Sequence, residues 1–430
     1  MPIAPPATFG RENSFTFLRL VFALAVVVGH CWALGGLGEE PLSRLTRGVL
    51  SGRELAVQGF FVLSGFFIAK SLAENPSLWR FACHRAFRIL PAFWVCLGLM
   101  VFVLAPWFIA LRWPDRFSYG QRLTLGPWPA WNYFLHNWAL QGDQYQIAPL
   151  FAGNPVRFDV NGSLWSVFLE AQFYLYAAAA AGARRLPVRA ALLGALLAAL
   201  AVWTGGWIVA GFCAAVCVWR ALVPAGRGAA VLFAALYALH AVLAFAPDAL
   251  QFLPLRLVVW LLPVMTPDFR LVSALAFLGG TLCWRYRAQL RWEKRWFFLA
   301  LAVLAAGVVA RQWVLVMPLA LPYAVLFLGL RLPFEKAGRW GDFSYGIYLF
   351  SFPLQQVLIW AGLARAGLPA LLAASLALSL AVGVASWFCV EKPALRLGRR
   401  LGAWQPAFSR RRTAAPIPAP TPPSAVPALP

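Results

Sequence analysis

The stretch from Phe15 to Leu34 reads FTFLRLVFALAVVVGHCWAL. At about 20 apolar residues it is long enough to cross a bilayer as one helix. Arg19 and His30 interrupt it, eleven positions apart. At 100° per residue this is three turns plus roughly 20°, so both side chains leave the same face, about 16 Å apart. Ionisable groups inside a span are costly unless they face protein, water or a ligand. The first helix therefore carries a polar stripe with Arg19 near its start and His30 near its end.

The rest of the chain repeats this character. Of its 430 residues, 61% are hydrophobic and 12% charged, with a mean hydropathy of +0.70, far from the balance of a soluble domain. Apolar runs fall at 15–34, 54–73, 88–110, 163–182, 187–203, 206–222, 229–247, 270–285, 296–310, 312–331, 341–361 and 368–390. Several between 187 and 310 are short. The expected fold is an all-α polytopic membrane helix bundle of about 10–12 transmembrane helices. The formal charge of +22 sits in short gaps between runs, not in one patch, which argues against nucleic acid as a partner. Lys and Arg are in excess in the gaps on one side, which places both termini inside. The bilayer is then the first partner.

The first run exceeds a secretory h-region, holds Arg19 and His30 and lacks a small-x-small site after Leu34, so it reads as a retained span. Residues 1–402 form the expected membrane domain. From Ala403 the chain turns Pro/Ala-rich with Arg410, Arg411 and Arg412, which reads as a disordered cytoplasmic tail. Seven scattered cysteines with no C-x-x-C suit neither a disulfide framework nor a zinc site, and no metal is expected. Cys31, next to His30, reads as a buried thiol. The long outer gaps are 35–53 and 111–162. The second contains GPWPAWNYFLHNW (126–138), whose Trp and Pro content suits an ordered loop against the interface, a place to hold an acceptor.

Four further segments carry polar groups. QGFFVLSGFFIAK (58–70) puts Ser64-Gly65 near mid-membrane, where a small pair admits close approach of either a helix or a ligand; Lys70 reads as snorkelling. RFACHRAFRILPAFW (80–94) spaces Arg85 and Arg88 at i, i+3, on one face if helical. That pair suits either a phosphorylated ligand or inner-surface anchoring. NGSLWSVFLEAQFYLY (161–176) holds Trp165 and Glu170, the latter about 10 Å below the outer end by helical rise. His30 lies about 6 Å below the same surface. Antiparallel packing of the two spans would bring them to similar depth, with the carboxylate orienting the imidazole as a general base. GDFSYGIYLFSFPLQQ (341–356) gives a polar stripe of Ser344, Tyr345, Tyr348 and Ser351, with a kink expected at Pro353. Glu391-Lys392-Pro393 reads as a helix stop. His240, alone in an apolar span, reads as a packed core residue.

In this order, Arg19…His30, FFVLSGF, RAFRILP, NGSLWSVFLEAQFY, FSYGIYLFSFP and VEKP resemble the integral-membrane acyltransferase-3 family over about residues 15–395. The resemblance implies transfer of acyl groups, commonly acetyl, from cytoplasmic acyl-CoA to hydroxyls of cell-surface polysaccharide, lipopolysaccharide or other glycans. It implies a multi-pass protein of a bacterial inner (plasma) membrane and no permanently bound cofactor, acyl-CoA being the donor substrate. By position it marks His30 and Glu170 as catalytic and Arg19, Arg85 and Arg88 as acyl-CoA-binding. Ser64, Trp165, Tyr345 and Ser351 take acceptor or packing roles. Two positions depart from the family pattern: Ala171 stands where many members have a second Glu, and Ser351 where many have His. The rival readings are a secondary transporter or glycan flippase, against which stands the lack of paired broken helices in matching halves, and a scaffold subunit of an envelope complex, which would tolerate loss of His30 and Glu170 together.

Overall fold

In the computed structural model the described residues are 13–75, 77–140, 142, 144–183, 228–245 and 267–404. Ten long helices organise them. They are α1 (Phe15–Gly35), α2 (Gly52–Glu74), α3 (Leu78–Arg112), α4 (Leu164–Ala183), α5 (Gly228–Phe245), α6 (Pro267–Arg285), α7 (Lys294–Val309), α8 (Trp313–Arg331), α9 (Ser344–Trp360) and α10 (Leu368–Ala403). Of these, α1, α2, α3, α8 and α10 are each long and apolar enough to cross a membrane. The protein is a polytopic helical membrane protein. The expected spans at 187–203 and 206–222, and residues 405–430 of the expected tail, lie outside the described residues.

Local chemistry sets the helix ends. α1 stops at Gly36, whose left-handed φ of 65° lets its N–H return to Trp32 O. α2 starts behind Ser51, whose side chain accepts from Glu54 N, with Glu54 in the first turn where the helix dipole favours a carboxylate.

Two expected ends are not ends. RFACHRAFRILP is not a connecting segment before a span starting at 88. Ser77 caps a helix that runs from Leu78 through Pro91 and a π-turn at Leu99–Leu104 to Arg112, so Arg85 and Arg88 ride on α3 itself. Nor does Glu391-Lys392-Pro393 stop α10. A π-turn at Trp387–Glu391 leads into the arm Lys392–Ala403, where Pro393 occupies the first turn, a place that needs no N–H. α9 likewise continues through Pro353.

Packing is closest between α2 and α6. Lipid tails are as apolar as leucine, so close backbone contact rather than hydrophobicity holds helices together in a bilayer. A Cβ on Gly65 would lie 1.8 Å from Phe277 O, and one on Gly280 would lie 2.0 Å from Val62 O. Of the pair Ser64-Gly65, then, the glycine serves the helix seam. α1 packs on α2 and α9, and α9 on α10.

The loop between α3 and α4 is ordered, as its composition predicts. Tyr133, Ile147, Leu150, Phe151 and Val160 are buried in one cluster with side chains of α3 and α9. Asn154 Nδ2 donates to Gln356 Oε1 (2.8 Å) and Asn161 Nδ2 to Leu349 O (2.9 Å), pinning the loop to α9. Trp128, Trp131 and Trp138 remain exposed. His240 is buried with Nε2 2.9 Å from Val314 O, a packed core residue as expected.

A candidate acyl-transfer cavity inside the bundle

α1, α2, α3, α4, α9 and the arm of α10 surround a cavity of about 320 Å³, at the small end of ligand pockets. Arg19, Ser64, Arg85, Arg88, Glu170 and Tyr345 all line it. Six of the nine residues singled out from the sequence therefore meet in one place.

Glu170 projects from α4 between α2 and the next turn of its own helix. Ser64 Oγ donates to its Oε1 (2.8 Å), and Tyr174 OH, one turn along α4, donates to the same oxygen. This accounts for Ser64: it faces the carboxylate while Gly65 beside it faces α6. One turn before Glu170, Ser166 Oγ lies 2.6 Å from Tyr348 OH. A polar strip thus runs along α4 opposite α9, in a bundle where such groups need partners inside the protein.

The arginines do not act alike. Arg88 is held twice, Nη2 to Asp342 Oδ2 at 2.8 Å and Nη1 to Glu391 Oε2 at 2.9 Å. Arg19 Nη1 reaches the same Asp342 oxygen at 3.1 Å. Asp342 also accepts from Ser344 N at the start of α9 (3.3 Å). Burial works against its charge, but Arg88 first and then Arg19 outweigh burial and hold its carboxyl below the usual carboxylate range. Glu391 is 1% exposed and accepts from Ser386 Oγ (3.0 Å). Gly346 leaves room for it, since a Cβ there would come within 3.1 Å of Glu391 Oε1. Arg88 is thus committed to two acids, and the expected pair splits. Arg85 makes no ion pair among the described residues. It lies 5.5 Å over the Tyr174 ring, with Nε buried and unpartnered.

His30 stands apart. It does not line the cavity, and Glu170 does not orient it: the two spans pack so that the carboxylate faces Ser64 and Tyr174 instead. Its Nδ1 is buried without a hydrogen-bond partner, and its ring meets Phe352 edge-on at 5.3 Å. A Cβ on the preceding Gly29 would lie 2.7 Å from Glu40 Oε2 and 3.0 Å from Arg53 Cβ. The charged groups at this corner of α1 therefore come from the α1–α2 connection and the start of α2, Arg53 being the one whose charge acts on His30. Neither Arg53 nor Glu40 was singled out from the sequence, because nothing in a loop's composition tells which helix it folds against.

Of the remaining residues, Trp165 packs on Phe61 (6.4 Å between centroids) and does not line the cavity. Ser351 is buried and bonds back to Tyr348 O (3.2 Å) within its own helix. Tyr345 OH donates to Ile89 O (2.9 Å) beneath the Arg88 guanidinium, which lies 5.5 Å from its ring. Cys31, Cys83, Cys96, Cys283 and Cys389 are free thiols. Among the described residues no cluster of His, Cys, Asp and Glu is arranged to hold a metal.

The bundle thus encloses a cavity with two acid-paired arginines, Arg85 beside them and a hydrogen-bonded carboxylate, the arrangement of a polytopic membrane protein with a polar interior site. The acyltransferase-3 family model, described as an acyltransferase domain, matches residues 12–390, and the chain belongs to that family of membrane acyltransferases. It is 31% identical over 166 residues to an O-acetyl transferase of Shigella phage Sf6, covering 38% of this chain and 44% of the relative. It is 34% identical over 95 residues to nodulation protein 10 of Rhizobium leguminosarum bv. viciae, covering 22% of this chain and 26% of the relative. The chain thus spans less than half the length of each of these curated relatives. No solved structure matches it.

Proposed function

We propose that the protein is an O-acyltransferase that moves an acyl group, acetyl in the first instance, from acyl-CoA at the cytoplasmic end of the bundle to a hydroxyl of an envelope glycan or glycolipid at the other. The observation that carries this reading is the division of polar groups along α1. Arg19 faces the cavity with Arg85 and Arg88, while His30, eleven residues further along, is outside it. A phosphorylated donor with a long thioester arm has a cationic entry at one level and an imidazole at the next. The similarity to a phage O-acetyl transferase supports the acyl group chosen. Both termini inside, in a bacterial inner membrane, complete the proposal.

In the proposed reaction the acceptor oxygen attacks the thioester carbonyl while His30 takes the hydroxyl proton. The tetrahedral intermediate collapses with cleavage of the C–S bond, and the departing CoA thiolate takes the proton from the imidazolium, leaving an ester and free CoA thiol. Glu170 acts at the cavity level, with Ser64 and Tyr174, in the path of the pantetheine arm. The imidazole, with its Nδ1 partnerless, is positioned by Phe352 and the Gly29–Arg53 corner.

Membranes bearing the wild type or His30→Ala, incubated with radiolabelled acetyl-CoA, test this. Label is expected in a glycan or lipid fraction with the wild type and not with His30→Ala, both proteins being inserted to equal levels. Equal labelling by the two would remove His30 from the chemistry. No labelling by either, alongside flux of a glycan substrate without acyl-CoA, would favour the transporter reading.

A further inference from the structure

The family match ends at residue 390, yet the protein continues as the arm Lys392–Ala403 of α10. The arm is docked, not trailing. Its Gly398 and Gly402 sit against α3, where added Cβ atoms would lie 2.6 Å from Phe87 Cβ and 3.3 Å from Arg80 Cγ. Trp79 Nε1 donates to Leu401 O (3.0 Å). With the two glycines four residues apart on the α3 side, Leu395 and Arg399, also four apart, line the cavity.

The charges around the cavity fall into two sets. On one wall, Arg19 and Arg88 are neutralised by Asp342 and Glu391. At the arm, Arg85, His84 and Arg399 line the cavity, and neither Arg85 nor Arg399 has an acidic partner among the described residues. Arg399 is exposed where the buried Arg85 Nε is not, so the unneutralised cations lead from the surface inward. A cavity of about 320 Å³ is at the lower limit for drug-sized ligands. It suits the narrow arm of a donor, and the bulky, polyphosphorylated part of that donor would remain at the mouth. An unneutralised guanidinium at that mouth has the charge and the fork of donors that a phosphate takes.

We propose that Arg399, which the docked arm presents at the mouth of the cavity, binds a phosphate of the nucleotide portion of acyl-CoA, handing the chain inward to Arg85. The inference rests on the acyl-CoA reading above, and its test separates the two. Binding of acetyl-CoA and of acetyl-pantetheine, which has the same thioester and no phosphate, is measured on the full-length protein in lipid nanodiscs. Three proteins are compared: wild type, Arg399→Ala and Arg400→Ala, the last removing the same charge from the same arm at a position that does not line the cavity.

Arg399→Ala is expected to weaken acetyl-CoA binding about fivefold, the scale of a solvent-exposed ion pair. The loss should shrink as salt is raised, and acetyl-pantetheine binding should not change. Arg400→Ala should match the wild type with both donors, and Arg399→Lys should recover part of the loss. Equal acetyl-CoA affinity in wild type and Arg399→Ala overturns the assignment while leaving acyl-CoA as the donor, and makes Arg399 a headgroup anchor. Equal losses with both donors overturn it in favour of a structural role for the arm. Failure of the wild type to bind acetyl-CoA overturns both readings.

Discussion

Asp342 shows what a single carboxylate does at the entry of the cavity. It bridges Arg19 and Arg88 and accepts from Ser344 N where α9 begins. Replacing it with Asn leaves Arg19 without its counter-charge and Arg88 with Glu391 alone, a loss of about 3 kcal/mol by analogy with broken buried pairs. Its folded-state carboxyl is held below the ordinary value of 3.8. The stability it contributes is therefore fully present above that value and disappears as pH falls through the lower folded-state value. Thermal unfolding in detergent should show wild type well above Asp342→Asn at neutral pH and the gap closing in strong acid. A gap that persists unchanged into acid would mean that the carboxylate's charge is not what stabilises the site. The sequence did not reveal this residue. It revealed that Arg85 and Arg88 share a face, because a spacing of three is local. It was silent on their partners, because Asp342 and Glu391 lie 254 and 303 positions from Arg88. Glu170 was legible as an ionisable group within an apolar run, but its partner was misread: depth alone suggested His30, whereas helix rotation gives it to Ser64 and Tyr174.

At the level of elements, spans were legible wherever an apolar run was long, and their ends were less so. Glu391-Lys392-Pro393 looked terminal because proline breaks helices, yet a π-turn resets the ladder and puts Pro393 where no N–H is required. The seam of α2 and α6 makes a sharper test of packing. A methyl on Gly65 would meet a backbone carbonyl at 1.8 Å, and neither partner is a flexible side chain that could yield. Gly65→Ala should force the helices apart at a cost of roughly 1–3 kcal/mol, toward the upper end. Thermal unfolding of the purified protein reads this directly. Gly38→Ala is the control for handling. No atom lies within 4 Å of the added Cβ, although its φ of 85° makes that change mildly strained as well. A Gly65→Ala protein as stable as wild type would mean that the seam is not closed in the membrane.

For the whole molecule, the arrangement predicts sidedness. With the arginine-lined mouth at the end where α1 begins and the pinned loop at the other, donor and acceptor approach from opposite faces of the membrane. Sealed vesicles of defined orientation should transfer acetyl from externally added acetyl-CoA only when inside-out, and permeabilisation should restore activity to the opposite orientation. Equal activity in both intact preparations would contradict the proposed layout. One helix touches every part of it. α9 starts just after Asp342, lines the cavity with Tyr345 and Tyr348, presses Phe352 on His30 and holds the loop through Gln356. The seven steps from Tyr345 to Phe352 span about 10 Å of helix. That interval belongs to the backbone, so in the proposed reaction α9 is a gauge: a thioester arm that passes Tyr345 has to cover it to bring its carbonyl to His30.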